Sequence, residues 1–204
     1  MVRRVIDLAV AVPAVLVLTP SMLVLSAAIR RDSPGPALYR QVRIGLDGEP
    51  FTILKFRTMR AAPAAAGFVM GGPDDPRITR LGRLLRRARI DEFPQLINVV
   101  RGEMTLIGPR AEVPEFVDLY TAEQRRVLSV RPGITGPGQL DYATMFEPLL
   151  EGATDPNQVY ITQVLGPKLE IDLEYLRTRT PLSDLRVLAR TVRLVLGIER
   201  RDRR

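Results

Sequence analysis

The chain has 204 residues, enough for one sizeable core with an appended element. It contains neither Cys nor His, which excludes thiol nucleophiles, disulfides, imidazole bases and nearly all zinc and iron sites. Chemistry is left to carboxylates, Arg, Lys, hydroxyls or a hard cation held by oxygen, and the formal charge of +7 points to anionic partners.

The first element is "LAVAVPAVLVLTPSMLVLSAAI", Leu8 to Ile29, which carries no charge. As an unbroken helix it would reach roughly 33 Å, enough to cross a hydrocarbon core of about 30 Å. A cleaved signal peptide fits poorly, because the apolar run exceeds the usual ~7–15 residues. Arg3 and Arg4 precede the run and Arg30 and Arg31 follow it, and the positive-inside bias would keep both ends in the cytoplasm. Thr19-Pro20 offers a break: proline removes a backbone hydrogen bond, and a neighbouring hydroxyl can occupy a freed carbonyl. Split there, the arms are about 16 and 14 Å long. A re-entrant hairpin that dips into one leaflet and a simple span both remain open. Residues 1–31 are read as the membrane anchor and 32–204 as a cytoplasmic-face domain.

After "SPGP" (Ser33–Pro36), "LYRQVRI" and "FTILKFRTM" flank Asp47-Gly48, a hairpin turn signal. "AAPAAAGFVMGGPDDP", Ala61–Pro76, reads as a mobile loop. "RITRLGRLLRRARI" follows, with Ile78, Leu81, Leu85 and Ala88 on one helical face and six arginines with no acid around it. Such a basic amphipathic helix is either an ordinary solvated surface helix or an interfacial one, and the apolar N-terminus favours the latter. Of the 30 basic residues only Lys55 and Lys168 are lysines, a bias that genome base composition explains.

"RIDEFPQLINV" then places Asp91 and Glu92 side by side. Capping accounts for part of this: Asp91 as N-cap, Pro94 in the first turn, Leu96, Ile97 and Val99 toward a core, and Gly102 as terminator. Glu92 and the upstream arginines are not explained by capping. The last third predicts helices over Glu112–Leu128, Gln158–Arg177 and Ser183–Ile198. Ser183 is the expected N-cap of the last, and its face of Leu185, Leu188, Val192 and Val195 is expected to pack into the body. "RPGITGPGQ", Arg131–Gln139, reads as a loop carrying one cation. The fold class is α+β, mostly α, with interfacial amphipathic helices and a small β-hairpin around one catalytic core.

Several stretches together resemble one family, the small monotopic bacterial sugar transferases that act as polyprenyl-phosphate phosphoglycosyl transferases. The matching pieces are "RRVIDLAVA", "DSPGPALYRQVRIG", "FTILKFRTM", "DPRITRLGRLLRRARIDEFPQLINVVRGEMTLIGPR", "VRPGITG" and "LEIDLEYLRTRTPLSDLRVLARTVRLVL". They cover nearly the whole chain, and "DEFPQLINVVRGEMTLIGPR" is highly specific. Three positions depart from the pattern: Thr19-Pro20 stands for the usual Ser-Pro, Ala111 for a second proline after "GPR", and Pro137-Gly138 for an aromatic residue after "RPGITG".

The resemblance implies transfer of a phospho-sugar from a UDP-sugar to a polyprenyl (undecaprenyl) phosphate with release of UMP, assisted by magnesium (Mg²⁺). This is the first membrane step of glycoconjugate synthesis. It implies Asp91 as covalent nucleophile, with Glu92 and Asp91 as the metal carboxylates. Arg86 and Arg110 match phosphate-binding arginines, Lys55 and Arg57 are further cations at the site, and Thr19 and Pro20 form the membrane break. Arg4 and Asp7 match positions at the membrane entrance. Partners are the UDP-sugar, polyprenyl phosphate and membrane lipids of the bacterial inner membrane. Nucleic acid is not expected, since aromatics are 5% and no binding motif occurs. A membrane-tethered anion binder without catalysis is the alternative reading, and the oligomeric state, a homodimer included, stays open.

Overall fold

A computed structural model describes residues 2–60, 75–150 and 152–198. The Ala- and Gly-rich stretch 61–74, expected as loop, and the charged tail 199–204 lie outside these residues.

Helix α1, Val2–Asp32, runs through both Pro13 and Pro20. The two arms expected from a break at Thr19-Pro20 are therefore one assigned helix. Hydroxyls on either side of Pro20 bond back to the helix: Thr19 Oγ1 donates to the Val15 carbonyl at 2.6 Å and Ser21 Oγ to that of Leu18 at 2.7 Å, neither of them the Leu16 carbonyl that the missing N–H leaves free. Leu16, Val17, Leu23 and Val24 point outward, each about two-thirds exposed or more. Both ends of α1 grip the body. Near the N-terminus Arg4 donates to the Val99 and Val100 carbonyls, and buried Asp7 accepts from Thr105 Oγ1 (2.8 Å) and the Leu106 N–H (3.0 Å). Ala11 is fully buried against Ile53, Val99 and Met104. Further along, Met22 and Ile29 pack with Ala37, Phe56 and Leu85.

The hairpin forms as expected. Strand β1, Leu38–Ile44, pairs antiparallel with β2, Pro50–Phe56, across a turn in which Asp47 (φ 55°) and Gly48 (φ 84°) adopt left-handed backbone. Helix α2, Arg80–Arg87, carries the arginine run and is capped by Thr79, whose side chain accepts from the Gly82 N–H. Helix α3, Gln95–Arg101, ends at Gly102 (φ 85°), the predicted terminator. Asn98 of α3 is fully buried and completes the free edge of β2: its Oδ1 accepts from the Leu54 N–H at 3.1 Å, and its Nδ2 donates to the Thr52 carbonyl at 2.8 Å. Peptide groups that would otherwise be orphaned are thus paired.

The sequence reading assigns no strand beyond residue 59, yet "TLI" forms β3, Thr105–Ile107, and "GIT" forms β4, Gly133–Thr135, a parallel pair. The backbones approach so closely that a Cβ at Gly133 would sit 2.1 Å from the Gly108 nitrogen, and one at Gly136 would sit 2.2 Å from the Gly108 oxygen. The expected helix over Glu112–Leu128 is instead α4, Pro114–Val117, followed by a separate 3₁₀ turn over Gln124–Ser129. The segment read as a loop, Arg131–Gln139, supplies β4 and the start of helix α5, Pro137–Asp141. Helix α6, Pro156–Val159, continues through a π-turn over Tyr160–Val164 into α7, Leu165–Thr178, close to the expected span.

Helix α8, Pro181–Val195, begins one turn earlier than expected. Thr180 is the N-cap, and Ser183 is the third helical residue that completes a capping box with it. The face expected inside points out: Leu185 is 60% and Val192 55% exposed, with Leu188 and Val195 also exposed. The adjoining face does the packing, through Val187, Leu194 and a Thr191–Thr135 hydroxyl contact of 2.8 Å. Arg3 of α1 pairs with Asp184 at the head of α8 (3.1 Å), so two outward apolar faces adjoin.

Candidate active site

Between α2 and α3 the chain makes one tight turn. Arg89 takes left-handed backbone (φ 57°), residues Ile90–Glu92 form a single 3₁₀ turn, and Pro94 then leads into α3, where its missing N–H costs nothing. Asp91 therefore caps no helix, and the reading of it as an N-cap is corrected. What the turn does is present two adjacent carboxylates between two helix ends.

Their surroundings differ. Glu92 is buried, and its Oε1 accepts from Lys55 Nζ at 3.0 Å and from both terminal nitrogens of Arg110 at 3.2 and 3.3 Å. Its Oε2 is approached by Gln139 Nε2 at 3.4 Å. Burial alone would raise the pKa of Glu92. Lys55, Arg110 and Arg89 outweigh that and hold it well below the usual carboxylate range. Asp91 has no hydrogen-bond or ion-pair partner among the described residues. Burial, then the Glu92 charge, raises its pKa, while Lys55, Arg86 and Arg89 oppose the rise. Two neighbouring acids are thus pushed apart, one firmly anionic with its Oε1 occupied, the other without a partner among the described residues and basic for its type.

Each cation reaches the pair from a different element. Lys55 comes from the end of β2, fixed by the Asn98 contacts one residue earlier, and burial beside Arg110 lowers its pKa to about 8. Arg110 follows β3, and Gln139 follows β4, so the parallel pairing of "TLI" with "GIT" brings both to Glu92 from the same strand ends. Arg86 lies on the last turn of α2, donating to Thr58 Oγ1 (2.9 Å) and approaching Met59 Sδ (3.1 Å) while its charge acts on Asp91.

Arg57, expected among these cations, is placed elsewhere. Its guanidinium donates to the carbonyls of Ser33 (2.6 Å), Pro34 (2.7 Å) and Ile29 (3.4 Å), closing the C-terminal end of α1. Gly35 (φ 116°) makes room for it, since a Cβ there would meet the guanidinium at 2.2 Å. Thr19 and Pro20 are exposed near the middle of α1, while the neighbouring Leu18 packs in the cluster that includes Ile90 and Phe93 on either side of the carboxylates.

A second buried network, not anticipated from sequence, stands behind the first. Glu112, two residues past Arg110, accepts from Tyr160 OH (2.6 Å), from Arg43 (3.4 Å) and, through a short contact, from Lys168 Nζ. Buried Asp172, one turn further along α7, accepts from the Gly138 N–H at 3.1 Å. Lys168 was the available signal: in a chain with two lysines, both pair with buried glutamates.

Among the described residues no group of three or more acidic side chains gathers for a metal. The donor set that fits a hard divalent ion is the adjacent pair, Asp91 unpartnered and Glu92 with Oε2 only loosely held. Mg²⁺ commonly takes one or two carboxylates, with phosphate oxygens and water completing its octahedron.

The comparisons agree with the motif reading. Residues 1–197 match the bacterial sugar transferase family. The chain is 38% identical over 193 residues to a UDP-glucose:undecaprenyl-phosphate glucose-1-phosphate transferase of Caulobacter vibrioides, covering 93% of this chain and 68% of that protein. It is 35% identical to the uncharacterized sugar transferase EpsL of Bacillus subtilis, covering 97% of this chain and 88% of that protein. It is also 34% identical to a UDP-N-acetylgalactosamine-undecaprenyl-phosphate N-acetylgalactosaminephosphotransferase of Aeromonas hydrophila, where 96% of this chain matches 44% of that protein. An acid pair on a tight turn, cations converging from β2, β3 and α2, and a match along almost the whole chain lead to one assignment: the chain belongs to the bacterial sugar transferase family.

Proposed function

We propose that the protein transfers a sugar phosphate from a UDP-sugar to undecaprenyl phosphate, releasing UMP. The printed activities of the Caulobacter and Aeromonas relatives support the substrate classes. The observation that carries the reading is the contrast between the paired acids: Glu92 is held by Lys55, Arg110 and Gln139, whereas Asp91 has no partner among the described residues and is kept among cations. An unpaired carboxylate of raised basicity is a nucleophile, and fixed guanidinium groups match the phosphate oxygens it must approach.

In this mechanism an Asp91 oxygen attacks the β-phosphorus, the bond from that phosphorus to the bridging oxygen breaks, and the bridging oxygen leaves with UMP. The sugar phosphate stays on Asp91 as an acyl phosphate. A phosphate oxygen of undecaprenyl phosphate then attacks the same phosphorus and frees the carboxylate. Arg86 and Arg110 bind and orient the phosphate oxygens, and the Lys55 charge favours the ionised form of both acids. Asp91 and Glu92 are the residues that would hold Mg²⁺, whose chemistry there would be to neutralise diphosphate charge.

The reading places α1 as a re-entrant anchor in the cytoplasmic leaflet of the inner membrane, residues 1–31, with residues 32–204 as the catalytic domain. Its support is that one side of a single apolar helix docks on the body from Ala11 to Ile29 while Leu16, Val17, Leu23 and Val24 on its other side face outward. The exposed apolar face of α8 beside the start of α1, and the arginines of α2, extend the lipid-facing surface.

Intact mass spectrometry tests the covalent step. Wild type incubated briefly with each of a panel of UDP-sugars should gain one sugar phosphate, and Asp91→Asn should show neither adduct nor turnover. Full UMP release by Asp91→Asn would refute the nucleophile.

A further inference from the structure

Glu92 is pinned unequally. Lys55 and Arg110 both bind Oε1, so they fix one oxygen and leave the carboxylate plane to swing about it. The terminal torsion of glutamate is broad and supplies little restraint of its own. Among the described residues the contact made to Oε2 is that of Gln139 Nε2, at 3.4 Å. Contacts of this length are common in ligand-free sites and tighten on loading.

The amide of Gln139 is unusual in a second respect. An anionic oxygen opposite it selects the NH₂ end, so the amide oxygen must face away. That oxygen is buried and has no donor among the described residues. Unpaired buried acceptors are rare because they forfeit a hydrogen bond made in water. An acceptor left open beside Glu92 is what a donor on a bound ligand, a hydroxyl or an ordered water, would complete.

Gln139 is also held from behind. The preceding residue, Gly138, donates its N–H to Asp172 Oδ1 at 3.1 Å, and a Cβ on Gly138 would lie 2.7 Å from Asp172 Oδ2. No side chain fits between α5 and α7 at this point. One turn earlier on α7, Lys168 grips Glu112 together with Tyr160, two residues beyond Arg110. A single turn of α7 therefore seats two of the three side chains that bind Glu92.

We propose that Gln139 is a positioning residue of the reaction: its amide nitrogen fixes the second oxygen of Glu92, and Asp172 on α7 holds Gln139 in place. This rests on the reading of Asp91 and Glu92 as the reacting pair. Its effect is on metal and rate rather than on substrate capture, because Gln139 acts through Glu92.

The test uses the full chain in nanodiscs, with UMP release as one readout and Mn²⁺ binding in the presence of UMP, followed by electron paramagnetic resonance, as the other. Gln139→Met keeps the side-chain volume without the amide. It should weaken Mn²⁺ binding and lower kcat by about 10- to 100-fold each, the range typical of lost outer contacts to a metal carboxylate. KM for the UDP-sugar and the thermal midpoint should stay near wild type. Asp172→Leu should show the same losses of Mn²⁺ binding and kcat together with a lower thermal midpoint, because it orphans the Gly138 N–H, and Asp172→Asn, which can still accept from Gly138, should restore most of all three. Unchanged Mn²⁺ affinity and kcat in Gln139→Met would overturn the proposal, as would losses in that variant that merely follow a fall in its thermal midpoint. The two readings fail separately. A wild type that releases no UMP from any UDP-sugar defeats the proposed function, while the Mn²⁺ comparison still decides the role of Gln139. A wild type that turns over, with Gln139→Met equal to it in both readouts, defeats the role of Gln139 alone.

Discussion

Lys55 should set the alkaline limit of turnover. Its side chain is 16% exposed, its ammonium lies 3.0 Å from Glu92, and its pKa falls from 10.5 to about 8. Burial is the main cause and the Arg110 charge the next, with Glu92 and Asp91 pulling the other way. That depression corresponds to roughly 3 kcal/mol against the charged form. With a pKa near 8, about nine-tenths of the molecules carry the charge at pH 7 and about one-tenth at pH 9. Initial rates of UMP release at saturating substrate and Mg²⁺ should therefore drop about tenfold between those values. Lys55→Arg keeps its charge throughout and should lose this limb, whereas any decline due to the substrate's own titration is common to both proteins. Lys55→Met should be slower at every pH by about 10- to 100-fold, from the lost charge-assisted hydrogen bond. Stability moves in the opposite sense. Because the folded pKa is depressed, the unfolded chain binds more protons between about pH 8 and 10.5, and this residue's contribution to stability rises across the window in which activity is lost. The same alkaline limb in Lys55→Arg would refute the assignment.

Asn98→Leu should leave the Leu54 N–H and the Thr52 carbonyl buried without partners, at about 1–3 kcal/mol each. Thermal unfolding should then fall by at least about 4 °C for a chain of this size, and an unchanged midpoint would contradict the edge-pairing role. Gly35→Ala forces a side chain into left-handed backbone and into the Arg57 guanidinium. It should lower the midpoint by several degrees, on the order of 2 kcal/mol, read by differential scanning fluorimetry in detergent. Single cysteines near residues 2 and 32 of this Cys-free chain should both label from the cytoplasmic side alone, and external labelling of either would exclude the re-entrant anchor.

Local signals were legible and distant ones were not. Asp47-Gly48 announces its hairpin, Gly102 its helix end, and the arginine run its amphipathic helix, because each depends on neighbours within a few residues. The acid pair stands out because nothing local explains Glu92. Strands β3 and β4 are three residues each and pair in parallel across an intervening segment, so neither carries an alternating pattern long enough to read. Gln139 and Arg110 come together through that pairing and were not both visible as site residues. Arg57 follows Lys55 by two, which on a continuing strand would share its face, but β2 ends at Phe56 and the rule stops there. For α8 the period of Leu185, Leu188, Val192 and Val195 is clear, but periodicity does not distinguish a protein core from a lipid surface. The near-absence of lysine was legible as composition, and its two exceptions mark the two buried glutamates.

The grip of α1 at both ends makes the membrane segment a structural component of the enzyme and not a leash. Ala11, Met22 and Ile29 complete clusters that also contain Ile53, Phe56, Leu85 and Val99, the residues on which β2, α2 and α3 are assembled. A chain cut before residue 33 would uncover those clusters and deprive Arg57 of its Ile29 acceptor. With α1 present but no bilayer, Leu16, Val17, Leu23 and Val24 face water instead. The side of α1 that closes the clusters beneath β2, α2 and α3 is thus distinct from the side that meets the surroundings, and one helix serves both as a piece of the core and as the apolar outer surface.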